Sequence, residues 1–308
     1  MQMRQLTRFQ RLALGTTATT YLLILVGGLV RASGAGLGCP DWPQCFGSWI
    51  PPLSAAGLPP EFDQAQFNAV LMWTEYLNRL LGVTVGLLIL ATMVVAIRDH
   101  RRTPRILWPT ALAFVLVGFE GWLGGVVVKE ELAAWLVTAH LVVALIIVSL
   151  LLYATVFAFF MDAPRRTASS GRRALGWTTL LLIAVTLGQV ALGAQVREGV
   201  DEAMSAGIGR AEALATVGSY DRWHRDVSLV VFGLVLVVLL QIWSRPEDHP
   251  ALVRTTYVMV GLVAAQLGLG LSLAYLGLTP PAQIAHLTAA SLLLGAQTVM
   301  FLLVRWLP

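Results

Sequence analysis

Long apolar runs separated by short polar, arginine-rich segments dominate the 308-residue chain. Eight runs reach the ~20 residues that a helix needs to cross a hydrocarbon core. They are Leu12–Val30, Val70–Ile97, Ile106–Val128, Leu132–Met161, Ala174–Val196, Asp221–Trp243, Thr255–Leu278 and Ala282–Leu307. None alternates with period two, so strands of a barrel are a poor fit and helices are predicted. The polar positions inside these runs follow a second pattern. Asn78 and His140 are 62 residues apart, as are His224 and His286, and the two pairs are offset by 146 residues. Glu120 and Gln266 each stand 20 residues before the second member of a pair, and Arg79 and Arg225 each follow the first. An internal repeat of this kind fixes architecture before any single residue is interpreted.

The expected fold class is an all-α integral membrane protein of eight transmembrane helices. The helices form two tandem four-helix bundles, residues 1–163 and 174–308, joined by a linker at 164–173. Four spans per half is an even number, so both halves enter the membrane from the same side. A pseudo-twofold axis along the membrane normal is therefore expected, unlike the inverted repeats of many transporters. Two outward segments are long, residues 32–68 and 197–220, and the second contains an alanine-rich stretch able to form a short surface helix. Segments of that length tend to be functional covers.

Composition agrees with this reading. The chain is 57% hydrophobic and 12% charged, which leaves little room for a soluble domain. Basic residues concentrate in one set of loops, among them Arg98, Arg101, Arg102, Arg165, Arg166, Arg172 and Arg173, which places both termini in the cytoplasm. The net charge of +4 averages two unlike faces and gives no argument for nucleic-acid binding. A basic N-terminus before an apolar run also fits a cleavable signal, but the length of that run and the spans after it favour a retained first helix. Cys39 and Cys45 both fall in the first outward loop, where an oxidising compartment allows them to pair; free thiols or a redox-active pair are the alternatives.

Ionisable and amide side chains within apolar spans are functional candidates, because burying them is costly. Asn78, His140, His224 and His286 all fall near outward helix ends, where two helices of each half direct one side chain each toward a bundle centre. Two neutral imidazoles on opposite sides of a flat ligand suit the axial positions of haem iron, and His224 with His286 is the expected pair. The competing reading is a set of hydrogen-bonded interface histidines, weakened by three of five histidines sharing depth and repeat position. Glu75 lies one turn before Asn78, and Asp221 one turn before His224. Either carboxylate suits proton transfer with a bound substrate, an arginine pair, or a snorkelled interfacial position. Glu120 lies deeper and is expected to be hydrogen-bonded there. Arg31, Arg79, Arg197 and Arg225 match the carboxylates of haem propionates in geometry, or serve as interfacial anchors. His100 and His249 sit in inward polar loops and receive no role.

Taken together, GGLVRASGAGLGCPDWPQC in the first outward loop, TEYLNRLLG in the second span, TAHL in the fourth, DRWHRD in the sixth and IAHL in the eighth resemble the haem A synthase family over essentially the whole chain. The resemblance implies a bacterial cell-membrane oxidoreductase of terminal-oxidase assembly, with its haem sites toward the outer face. Its members oxidise a methyl group of haem O to the formyl group of haem A, by two hydroxylations and loss of water. It implies a haem b cofactor held by His224 and His286, and a substrate site in the N-terminal half at His140 and position 78, beside Glu75. Cys39 and Cys45 match the family's outward cysteine pair. Contact with a haem O synthase and with an electron-transfer partner is implied as well. One position departs from the family. The Glu-x-x-His motif of the second span ends here in Asn78, an amide that cannot replace imidazole as an iron ligand. An inactive or trapped synthase, a bis-histidine membrane cytochrome b, and a transporter built on repeated bundles remain as rival readings.

Overall fold

In a computed structural model of the chain, residues 5–161, 170–245 and 249–307 are described. The proposed linker positions 164–169, with Arg165 and Arg166, lie outside them. Eight long helices occur where the apolar runs predict them: α1 Arg8–Ala32, α2 Ala69–His100, α3 Pro104–Lys129, α4 Ala134–Phe160, α5 Ser170–Ser205, α7 Ser219–Trp243, α8 Pro250–Tyr275 and α9 Pro280–Trp306, with the short α6 Arg210–Thr216 between the fifth and sixth. All eight are long and apolar enough to cross a bilayer, and the protein is a multi-pass membrane protein.

Local chemistry sets the helix starts. Thr7 and Gln10 form a reciprocal capping box at α1, with Gln10 N–H donating to Thr7 Oγ1 (3.1 Å) and Thr7 N–H donating to Gln10 Oε1 (2.9 Å). Asn68 Oδ1 accepts from the backbone of Val70 and Leu71 at the start of α2. Pro104, Pro250 and Pro280 open α3, α8 and α9, where a missing N–H costs nothing. Several boundaries differ from hydropathy: α1 starts at Arg8 and α5 at Ser170, each four residues before its run, and α8 spans Pro250–Tyr275 where the run is Thr255–Leu278. α5 continues nine residues past the predicted Val196 to Ser205, because Arg197, Glu198, Glu202, Ala203 and Met204 are good helix formers, and the charged ones among them lower the hydropathy. Leu132, placed by hydropathy at the start of the fourth span, has φ 64° in the tight α3–α4 turn, and the helix begins at Ala134.

Each run of four long helices closes on itself. α1 packs on α2 and α4, and α3 bridges α2 and α4; likewise α5 packs on α7 and α9, and α8 bridges α7 and α9. The C-terminal half is centred on Leu182, Val235, Met259, Leu293 and Met300. The N-terminal half has separate layers, around Phe9, Ala96 and Ile106 and around Val85, Ile89 and Leu151. The halves meet through α1, α4, α5 and α9, where Ile24, Leu145, Val148, Val190 and Leu294 form a shared layer. Hydrocarbon solvent gives apolar side chains no reason to associate, so close approach and hydroxyl pairs matter at such contacts. Thr16 and Thr92 hydroxyls meet at 2.8 Å between α1 and α2, and Gln297 Nε2 donates to Thr186 Oγ1 at 3.0 Å between α9 and α5.

The segment between α1 and α2 is anchored rather than loose. Cys39 and Cys45 are disulfide-bonded and buried. Gly38 runs so close to α2 that a Cβ there would lie 2.5 Å from the Leu71 carbonyl, which excludes any other residue. Asp41 accepts from the backbone N–H groups of Phe46 (2.6 Å) and Gly47 (2.9 Å), which closes the loop.

At the junction of the halves, a Cβ on Gly28 of α1 would stand 3.1 Å from Leu287 Cδ2 of α9. Gly28→Leu should therefore wedge the halves apart and cost about 1–3 kcal/mol by overpacking. Gly233 of α7 has no neighbour within 4 Å of such an atom, and Gly233→Ala should leave stability unchanged or raise it. Thermal unfolding of the detergent-solubilised protein, followed by tryptophan fluorescence, checks both.

Candidate functional site: two histidine-bearing helix bundles

His224 of α7 and His286 of α9 face one another, with ring centroids 6.3 Å apart and planes at 65°. Two imidazoles bonding one metal at about 2 Å per nitrogen place their ring centres at about this separation. Each ring has a buried Nδ1 with no protein hydrogen-bond partner. The facing, half-buried pair with unsatisfied nitrogens thus fits the axial ligation of a haem iron.

The same devices hold both rings. Gly193 of α5 lies behind His224, where a Cβ would come 2.9 Å from Cε1, and Gly270 of α8 lies behind His286, where it would come 3.6 Å from Cε1. An amide then fixes each histidine's backbone: Gln189 Nε2 donates to the His224 carbonyl at 2.8 Å, and Gln266 Nε2 to the His286 carbonyl at 2.6 Å. These bonds tie α5 to α7 and α8 to α9 at the level of the imidazoles.

The N-terminal half follows the pattern on one side and breaks it on the other. Gly124 of α3 lies behind His140 of α4, a Cβ there being 3.6 Å from Cε1, matching Gly270 and His286. Glu120 of α3 turns its carboxylate to the ring, and its Oε2 meets His140 Nδ1. On the other helix stands Asn78, whose Oδ1 is buried without a hydrogen-bond partner. Gly27 stands four residues before Arg31, as Gly193 stands four before Arg197, yet nothing lies within 4 Å of a Cβ at Gly27. The glycine notch is present in α1 without an imidazole against it.

Glu75 is buried one turn before Asn78 and is heavily engaged. Its Oε2 accepts from the Cys39 backbone N–H at 2.8 Å, and its Oε1 is paired with Arg79. Arg79 in turn donates to the carbonyl oxygens of Asp41 (2.6 Å), Gln44 (2.8 Å) and Cys39 (3.1 Å). The cysteine loop therefore hangs from an ion pair on α2, and its Trp42 ring lies against Gly125 of α3, next to the glycine behind His140. In the other half, Asp221 and Arg225 form the corresponding pair at 2.7 Å, one turn before and one residue after His224. Arg31 and Arg197 converge on one carboxylate, that of Asp201, at 2.5 and 2.9 Å. Each of the four arginines read as propionate contacts thus has a carboxylate partner. His100 packs edge-on against Phe9 at the opposite end of α2, away from the histidine sites.

Sequence reasoning named neither Gln189, Asp201 nor the glycines. A signal for the glycines was present, since Gly124 and Gly270 share the 146-residue offset. Gln189 has no repeat counterpart at that offset and could be found only as an amide inside an apolar run.

The family model described as cytochrome oxidase assembly protein, COX15-CtaA, matches residues 10–298. A heme A synthase of Allorhizobium ampelinum is 26% identical over 308 residues, covering 89% of this chain and 84% of that one. A heme A synthase of Alkalihalophilus pseudofirmus is 22% identical over 94% of this chain and 95% of its own length. One from Shewanella oneidensis is 31% identical over 186 residues, 58% of this chain and 53% of that one. A family match over nearly the whole chain, on a fold that brings the repeated histidines face to face, means that the chain belongs to the COX15-CtaA cytochrome oxidase assembly family, the family of the haem A synthases.

Proposed function

We propose that this protein is a haem A synthase, an oxidoreductase that converts haem O to haem A by oxidising a porphyrin methyl group to formyl through successive hydroxylations. The observation that carries this reading is the facing of His224 and His286 at 6.3 Å in a chain of this family. In this reading the C-terminal half holds haem b between those two imidazoles, and the N-terminal half receives haem O at His140. A bound haem b supplies one-electron transfer. The bundles are related along the membrane normal, both termini are cytoplasmic, and the sites lie toward the outer face of a bacterial membrane. A haem O synthase hands over the substrate, and a separate protein or quinone exchanges electrons.

The remaining residues bind and orient. Gln189 and Gln266 fix the helix backbones that carry the imidazoles, and Gly193 and Gly270 let those rings approach the neighbouring helices. His140 supplies the single imidazole of the substrate site. Asn78 leaves the opposite face open, since an amide is a weak donor to iron. Glu75, secured by Arg79 and Cys39, holds a carboxylate one turn from Asn78 and is the proton-handling group of this site. The unlike halves speak against a simple electron carrier, in which every haem keeps the same ligation.

Three measurements test the reading. Pigment extracted from the purified protein should contain haem A or hydroxylated haem O together with haem B; haem B alone would identify an electron-carrying cytochrome instead. His224→Ala and His286→Ala should each abolish the low-spin bis-imidazole absorbance spectrum, because the apolar surroundings offer no replacement ligand, and its persistence in both variants would refute the assignment. Glu75→Gln should lower turnover by about 100-fold, the scale of a lost general acid–base group, while the C-terminal haem spectrum is unchanged.

A further inference from the structure

We propose that Glu120 is a positioning residue that makes His140 a stronger iron donor than either imidazole of the C-terminal half. This rests on the assignment of the N-terminal half as the site of haem O, and it starts from a contrast between repeat-related residues. Glu120 and Gln266 occupy the same place in α3 and α8, 20 residues before their histidines. Gln266 spends its amide on the backbone carbonyl of His286 and leaves the ring Nδ1 unpartnered. Glu120 instead presents Oε2 to the ring Nδ1 of His140. His224, like His286, is held through its carbonyl and has no protein partner at Nδ1. Of the three facing imidazoles, His140 alone carries a carboxylate.

An ionised carboxylate only accepts, so a hydrogen bond drawn across this close contact, which as it stands is not aligned as one, would put the His140 proton on Nδ1 and leave the Nε2 lone pair for a metal. A carboxylate behind a metal-bound histidine fixes its tautomer, orients the ring and raises its basicity. Glu120 is 8% exposed and its second oxygen, Oε1, is buried without a partner. An anion in that position is costly to keep in an apolar bundle unless a positive centre lies nearby, and an iron bonded to His140 provides one. Across the site Asn78 offers no imidazole and Gly27 leaves space. A strongly donating ligand on one face and an open position on the other favour the higher oxidation state of the bound ring. The His224–His286 pair, equal on both faces and without a carboxylate, is suited to exchanging electrons. In this account Glu120 divides the labour between two bundles built on one plan.

The test uses the full-length protein in detergent, loaded with iron protoporphyrin IX, as wild type, E120Q and E120D. Wild type should show a low-spin component from the C-terminal half and a high-spin, histidine-ligated component from the N-terminal half. In E120Q the high-spin component should show a lower iron–histidine stretching frequency by resonance Raman and a more positive midpoint potential. It should also bind its haem about tenfold more weakly, the scale for a lost carboxylate–histidine contact. The low-spin component should not move, and E120D should restore the shifts in part. A high-spin component with unchanged potential and vibrational frequency in E120Q would overturn the role of Glu120. A wild-type protein with no high-spin component would instead overturn the substrate-site assignment beneath it. A measurement on haem-free wild type needs no variant to fold: nitrogen-15 NMR of labelled histidines should show His140 protonated at Nδ1 with bare Nε2. The opposite tautomer would contradict the proposal.

Discussion

Placing imidazoles inside apolar helices with a buried Nδ1 that lacks a well-aligned hydrogen-bond partner is the constraint on which the rest of this structure depends. A polar group buried unpaired costs on the order of 1–3 kcal/mol, so a fold retains several only where something else satisfies them. Here the surroundings hold the rings in place and leave Nδ1 of His224 and His286 without a protein partner. Gly193 removes a side chain that would collide with His224, and Gly124 and Gly270 stand directly behind His140 and His286, where a Cβ would only touch the ring. Amides at 189 and 266 bind the histidine carbonyls, which fixes the helices; Gln189 Nε2 also stands 3.5 Å from His224 Nε2, whereas Gln266 donates to the carbonyl alone. In the proposed reading the facing rings of His224 and His286, 6.3 Å apart, would hold a haem iron.

The two halves share this plan and differ in how they are covered and charged. The N-terminal half lies under a disulfide-closed loop hung on the Glu75–Arg79 pair, with Trp42 against α3. Above the C-terminal half, α5 rises past its membrane span and packs against α6, in a cluster around Val200, Ala203 and Ala213. Arg31 of α1 and Arg197 of α5 grip Asp201 together, so the histidine-bearing ends of both halves are joined by one ionic contact. Exposed ion pairs are weak, but this one is partly buried and draws on both halves.

The eight long helices were legible in the sequence, because spans of about twenty apolar residues are a strong signal. The 146-residue offset drew attention to the histidines, and the fold brings the rings of His224 and His286 face to face. What stayed hidden depends on partners that lie far apart in the chain. Nothing in the sequence shows that Glu120 turns to a ring while Gln266 turns to a backbone. Arg79 reads as a candidate for a ligand carboxylate, yet in the fold its guanidinium is spent on Glu75 and three loop carbonyls. Hydropathy ended α5 early because a polar helix continuing above the membrane has no apolar signal.

The central claim is that two bundles of one design grip flat iron porphyrins in unlike ways, and a stoichiometric titration tests it most directly. Haem-depleted protein titrated with iron protoporphyrin IX should bind two equivalents per chain. One should give a six-coordinate low-spin spectrum and the other a high-spin spectrum that shifts when cyanide is added. Saturation at a single equivalent, or two equivalents with identical low-spin spectra, would contradict the account.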